Sequence, residues 1–245
     1  MKNRRSAVSE ESAESKVRLI SVTPDAEANI LYIARVSSNQ ENTDTGLIGY
    51  LVRKNHWSPF EHATMTLEII TSRALAPQFL RHRSFTFQEF SQRYASPTEY
   101  ERYEARRQAE KNRQSSIDDL REQDKEWFRG AQEFMAEWGF RFYEEAVRRN
   151  IAKECARFLL PTTTTTKIYM TGTVRSWIHF IGERQREETQ LETRLLALEA
   201  KKIFTSEFPI ISDALGWDNE CVCGMAAGCH GPCVHKSYHS GKLNM

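Results

Sequence analysis

Cysteine is scarce along most of this 245-residue sequence: there are five, and four of them fall after residue 220. A disulfide-stapled scaffold is therefore excluded for the body of the chain, which must be held by an apolar core. Net charge is scarce too, at +1 from 34 basic and 33 acidic side chains. No general field draws such a molecule to nucleic acid or to an anionic membrane, so any anion must be held by a local cluster. Long apolar runs are missing, and no window approaches the roughly 18 residues of a membrane-spanning helix. The opening "MKNRRSAVSEESAESK" has basic residues but no apolar run behind them. Residues 1–16 are expected to be a disordered leader, the location cytoplasmic, and no nucleic-acid or membrane partner is expected.

What is present is 40% hydrophobic, enough for one large domain or two small ones. "VRLISVTP" (17–24) alternates and is β-branched, which predicts a strand, and "DAEANILYIARVSS" predicts a helix with Asp25 as its N-cap. A second helix is predicted to end before Pro59, followed by a strand over "HATMTLEIITSR" and a helix carrying Pro77 in its first turn. Residues 101–126 are more than half charged and read as a solvated helix or mobile insert without chemistry. Phe128, Ala131, Met135, Trp138, Phe142 and Ala146 recur every three or four residues, a stripe for core or subunit interface. "AKECARFLLP" predicts a short helix stopped by Pro161, with Cys155 a small buried hydrophobe. "TTTTTKIYMTGT" suits a connecting strand, and two helices should follow, the last with Leu191, Leu195 and Leu198 as its apolar stripe.

The stretch "FLRHRSFTFQEFSQRYASP" (79–97) does not fit a scaffold role. It carries Arg81, His82, Arg83 and Arg93 among five aromatic rings, opposed only by Glu89 until Glu99. Such arginines either form ordinary surface ion pairs with those carboxylates or hold an anionic planar ligand, because the guanidinium fork matches phosphate and stacks on flat rings. Single-stranded nucleic acid is a rival ligand on the same chemistry, though the near-zero net charge speaks against it. Further arginines next to small or apolar residues, Arg157, Arg175 and Arg184, have few nearby carboxylates and favour a ligand.

"RHRSFTFQEFS" is Arg-His-Arg, seven residues, then Ser, and with "QRY" it resembles the signature of the flavin-dependent thymidylate synthases. "HWSPFEH" (56–62), "ARFLLP" (156–161) and "VRSWIHFIGER" (174–184) resemble further blocks of that family in the same order. The resemblance implies an α+β fold, with helices packed around a central antiparallel or mixed sheet, over residues 17–217. It implies a methyltransferase with a flavin redox step that makes dTMP from dUMP. Its carbon donor would be 5,10-methylenetetrahydrofolate, its cofactor FAD, its reductant NADPH, and its assembly a homotetramer with shared sites.

Carried over residue by residue, the resemblance assigns His62, Arg81, His82, Arg83, Glu89, Arg175 and His179 to FAD. It assigns Gln78, Glu89, Ser91, Arg93, Arg157 and Arg184 to dUMP, with Arg93 and Arg157 on the phosphate. Arg184, the one catalytic residue, would stabilise charge on the uracil carbonyl. Ser91 has no identifiable base and is expected to bind rather than attack. On one helix Arg175 and His179 share a face while Arg184 lies about 180° away, so either the helix breaks at Gly182 or its two faces serve different sites.

Residues 218–245 form a Cys/His-rich tail outside the resemblance. Cys221, Cys223, Cys229 and Cys233, with His230, His235 and His239, offer soft ligands for Zn²⁺, but the CxC opening departs from the usual spacing of paired ligands. No metal is assigned; the tail read as the active part of a zinc-dependent interaction protein remains the third alternative.

Overall fold

The computed structural model describes residues 16–36 and 45–217. The expected leader up to residue 15 and the Cys/His-rich tail lie outside the described residues. The chain opens with β1 (Val17–Val22), α1 (Ala26–Ala34), α2 (Gly46–Arg53) and a 3₁₀ turn (Ser58–Glu61). Then come β2 (Thr64–Ser72), α3 (Ala76–Leu80), β3 (Phe85–Glu89) and a small hairpin of β4 (Arg107–Gln108) and β5 (Ser116–Ile117). The long α4 (Glu122–Arg148) is followed by α5 (Lys153–Ala156), a 3₁₀ turn (Arg157–Leu159), β6 (Thr165–Thr173), α6 (Val174–Arg184), α7 (Leu191–Glu207) and α8 (Pro209–Ala214).

Four strands make one sheet in the order β1-β2-β6-β3, every pair antiparallel. The fold is therefore α+β with an antiparallel rather than a mixed sheet. Alternation decides which face is covered. Met65, Leu67 and Ile69 of β2 stand opposite Gly172, Met170 and Ile168 of β6, and all five apolar side chains are buried under the helices. At about 1.5–3 kcal/mol for each large apolar side chain removed from water, this row is a main source of cohesion. The other face is polar: Glu68 is buried there between Arg18 (3.2 Å) and Lys167 (3.1 Å). Hydrogen bonds from Tyr169 and Lys167 hold its carboxyl below the usual range against the opposing effect of burial.

Helix α6 is pinned over the core by its ends and its middle. Thr173 caps it by accepting from the Ser176 amide, and the fully buried Trp177 donates its indole N–H to the Met65 carbonyl at 2.9 Å. Ser176 also donates to the Ser84 carbonyl at 3.2 Å, tying the Arg-His-Arg loop to α6.

Several expectations are corrected. Asp25 precedes α1 in a left-handed conformation (φ 50°, ψ 35°), and its side chain makes no cap; its carbonyl alone accepts from Asn29. The segment after the Arg-His-Arg motif, to which the sequence pattern assigns no strand, is edge strand β3. "TTTTTKIYMTGT" is no mere connector, since β6 is central in the sheet. Residues 101–126 are mostly irregular apart from the short β4–β5 hairpin, and become helical only from Glu122. In α4 the inward face is Ala136, Gly139, Tyr143 and Ala146; of the stripe given to core or subunit interface only Ala146 is buried, so the core reading is overturned for Met135, Trp138 and Phe142, which face outward. In α7 the buried row is Leu196, Ala197, Ala200 and Phe204, and Leu195 is exposed. Cys155 is exposed, not buried. Among the described residues no helix is long and apolar enough to cross a membrane.

Candidate active site

Arg184 ends α6, which runs through Gly182 unbroken, so the helix does not break there. Its Nε donates to His82 Nε2 at 2.9 Å and its Nη2 to the Gln78 carbonyl at 3.3 Å. His82 follows the C-terminus of α3 and rests on an aromatic floor, its ring centroid 4.9 Å from that of Phe180 and 6.4 Å from that of Phe85. Burial, followed by the positive charges of Arg184 and His179, pushes His82 down to about 4. The imidazole is therefore neutral at pH 7, with Nε2 as acceptor and its proton on Nδ1. Burial also lowers Arg184 from its ordinary value, with Arg81 adding to the effect against Glu183, yet a guanidinium stays charged.

Of the other residues that the resemblance assigns to the cofactor, His179 and Arg81 lie near this pair. His179 stands one turn back on α6, its ring 6.4 Å from His82. Arg175 pairs with Glu61 in the 3₁₀ turn that precedes His62. Arg81 and Arg83 are exposed, and among the described residues their side chains form neither ion pair nor hydrogen bond. Neither forms the expected surface pair with Glu89 or Glu99, and Glu89 is engaged by Arg73 (2.8 Å) and by Thr166 (3.0 Å).

The nucleotide residues of the resemblance fall into two groups. Gln78 belongs with Arg184: its Oε1 accepts from Thr193 at 3.0 Å and its Nε2 donates to Gln190 at 2.6 Å. A cavity of about 460 Å³ opens beside them. Ser91, Arg93 and Arg157 form the second group near α5. Ser91 begins a turn by accepting the Arg93 and Tyr94 amides, Arg93 pairs with Glu154 at 3.2 Å, and Arg157 lies over the Phe158 ring at 5.4 Å. Among the described residues no hydrogen bond or ion pair joins the two groups. Beside the second group, α4 and the following turn expose Trp138, Phe142 (53%) and Phe158 (80%).

Sequence reasoning did not find Gln190, Glu192 and Thr193, which orient Gln78. Their only signal is a cluster of polar residues opening a helix, "TQLET", where capping is the ordinary reading. Among the described residues no set of three or more His, Cys, Asp or Glu side chains gathers to hold a metal, and the tail cysteines lie outside them.

Residues 18–210 match the family described as "Thymidylate synthase complementing protein". The flavin-dependent thymidylate synthase of Synechocystis sp. is 56% identical over 193 residues, covering 78% of this chain and 90% of that protein. The probable flavin-dependent thymidylate synthase of Paramecium bursaria Chlorella virus 1 is 50% identical over 212 residues, covering 82% and 98%. Among solved structures, the UMP/dUMP methylase PolB from Streptomyces cacaoi bound with 5-Br dUMP superposes with a TM-score of 0.74 at 26% identity, covering 82% of this chain and 94% of that one.

Proposed function

This chain belongs to the flavin-dependent thymidylate synthase family, and on that premise we propose that it converts dUMP to dTMP with 5,10-methylenetetrahydrofolate as carbon donor, FAD as cofactor and NADPH as reductant. The observation that carries the reading is the orientation of Arg184 by His82 and Gln78, next to two cations without partners. Arg81 and Arg83 suit the diphosphate of FAD, and His82 and His179 offer flat surfaces near it. The residues present therefore fit FAD, with His62, Arg175 and Glu89 at its margins. When bound and reduced, FAD supplies the hydride.

The chain's own residues bind, orient and stabilise. Arg93 and Arg157 hold the nucleotide phosphate, Arg93 leaving its exposed pairing with Glu154 to do so. Ser91 donates a hydrogen bond to the nucleotide; no imidazole contacts it among the described residues, so it is not activated for attack. Arg184 faces the uracil carbonyl, where its charge counts most as negative charge develops in the transition state. Its Nε is held by a neutral histidine and its Nη2 by the Gln78 carbonyl, which leaves Nη1 to the substrate. Glu61 restrains Arg175 at the edge of the cofactor surface.

The assembly is a homotetramer, in the cytoplasm, with each site shared between subunits. Two observations support the shared site: no hydrogen bond or ion pair joins the two groups of nucleotide residues among the described residues, and the aromatic face of α4 beside the second group is exposed. One domain spans residues 17–217. The visible absorption spectrum of the purified protein tests the cofactor assignment. A flavin spectrum, before or after incubation with FAD, is expected; a protein that neither carries nor takes up flavin contradicts the reading.

A further inference from the structure

The cavity beside Arg184 is lined by Gln114, a residue of the charged segment to which sequence reasoning gives no chemistry. Gln114 sits at the tip of the β4–β5 hairpin. That hairpin is fastened to the site at its base. Arg106 donates through Nε to Ser116 at 2.9 Å and pairs through Nη2 with Glu192, both ionic side chains only 14% exposed. The other oxygen of Glu192 accepts from Gln190 at 3.0 Å, and Gln190 accepts from Gln78. Gln78 in turn offers its carbonyl to Arg184. A continuous polar chain thus runs from the hairpin to the reacting side of the site.

Three carboxamides line this cavity. Those of Gln78 and Gln190 are bonded to each other, while the side-chain carboxamide of Gln114, whose backbone N–H donates to Asn112 Oδ1 at 3.0 Å, has no partner among the described residues. A carboxamide sets a donor beside an acceptor, which is what the imide edge of a pyrimidine requires, with its carbonyls flanking an N–H. The arginines offer donors only.

We propose that Gln114 is a substrate-contacting residue whose amide hydrogen-bonds the imide edge of the pyrimidine base, and that the Arg106–Glu192 pair is the strut that holds the hairpin tip over the cavity. This rests on the reading of the cavity as part of the nucleotide site. Because Gln114 is exposed and far from the core, its replacement leaves the fold intact.

Titration of the FAD-loaded protein with dUMP tests the assignment. Gln114→Ala should weaken dUMP binding roughly fivefold, the scale of one hydrogen bond, with flavin content and melting temperature unchanged. Arg106→Ala should weaken it similarly by releasing the hairpin. The double variant should be no weaker than Arg106→Ala alone, because a released tip has no contact left to lose. Wild-type protein that binds dUMP, with Gln114→Ala binding it equally well, would overturn the inference while leaving the functional reading standing. Wild-type protein that binds no dUMP would overturn both.

Discussion

Arg184 Nε donates to His82 Nε2 at 2.9 Å, so the cation assigned to the substrate and the histidine assigned to the cofactor touch each other. The contact requires a neutral imidazole, since a protonated ring has no acceptor. Burial and the neighbouring positive charges, which push His82 down to about 4, favour that same state.

A pH dependence follows. The unfolded chain titrates this histidine near 6.5, and the folded protein near 4. Between those values the unfolded state binds a proton that the folded state does not. The stability contributed by the neutral ring is thus fully present above pH 6.5 and is lost as pH falls toward 4. Histidine ring NMR should show His82 neutral down to about pH 4, and the melting temperature of His82→Asn should fall less steeply than wild type over this window.

Arg184 and Arg93 should fail differently. A phosphate contact remote from the reacting carbon is made equally in ground and transition states, so Arg93→Ala should mainly raise the KM for dUMP. Arg184→Ala should lower kcat by on the order of 10²-fold or more, as for a lost oxyanion donor. Flavin content should survive both changes. Loss of flavin by Arg184→Ala with normal dUMP affinity would move Arg184 to the cofactor site.

Gly139 lets α4 approach the turn that carries Arg157. A Cβ there would stand 2.9 Å from the Leu159 carbonyl oxygen and 3.0 Å from the Pro161 ring. Neither the helix nor that backbone can yield cheaply, so Gly139→Ala should cost ~1–3 kcal/mol and weaken dUMP binding by shifting Arg157. Gly130, on the same helix with nothing within 4 Å, is the control: Gly130→Ala should stabilise by about 0.5–1 kcal/mol. Denaturant unfolding of the two variants reads both effects.

Local patterns were legible where local forces decide. The alternation of "VRLISV" gives β1, and Pro77 marks the start of α3. Strand β3 was not legible, because its pairing depends on β6, about 80 positions later: Phe85 lies opposite Gly172, its ring where a Cβ of that glycine would be. Periodicity gives α4 an apolar stripe but cannot choose which face turns inward. The small side chains of Ala136, Gly139 and Ala146 win there because they admit α5 and the following turn closely, leaving Trp138 and Phe142 outside.

The site divides in the same way. Arg81, His82, Arg83 and Arg184 could be named from motifs. Gln190 and Glu192 could not, since their meaning lies in contacts with Gln78 and Arg106 about 100 positions away.

The most direct test is turnover. Purified protein is supplied with dUMP, 5,10-methylenetetrahydrofolate and NADPH, with FAD present or rigorously removed, and dTMP is measured. dTMP should form only with FAD and the folate together, and should disappear when either is withheld. Full turnover in flavin-free protein, or none with every component present, would contradict the account.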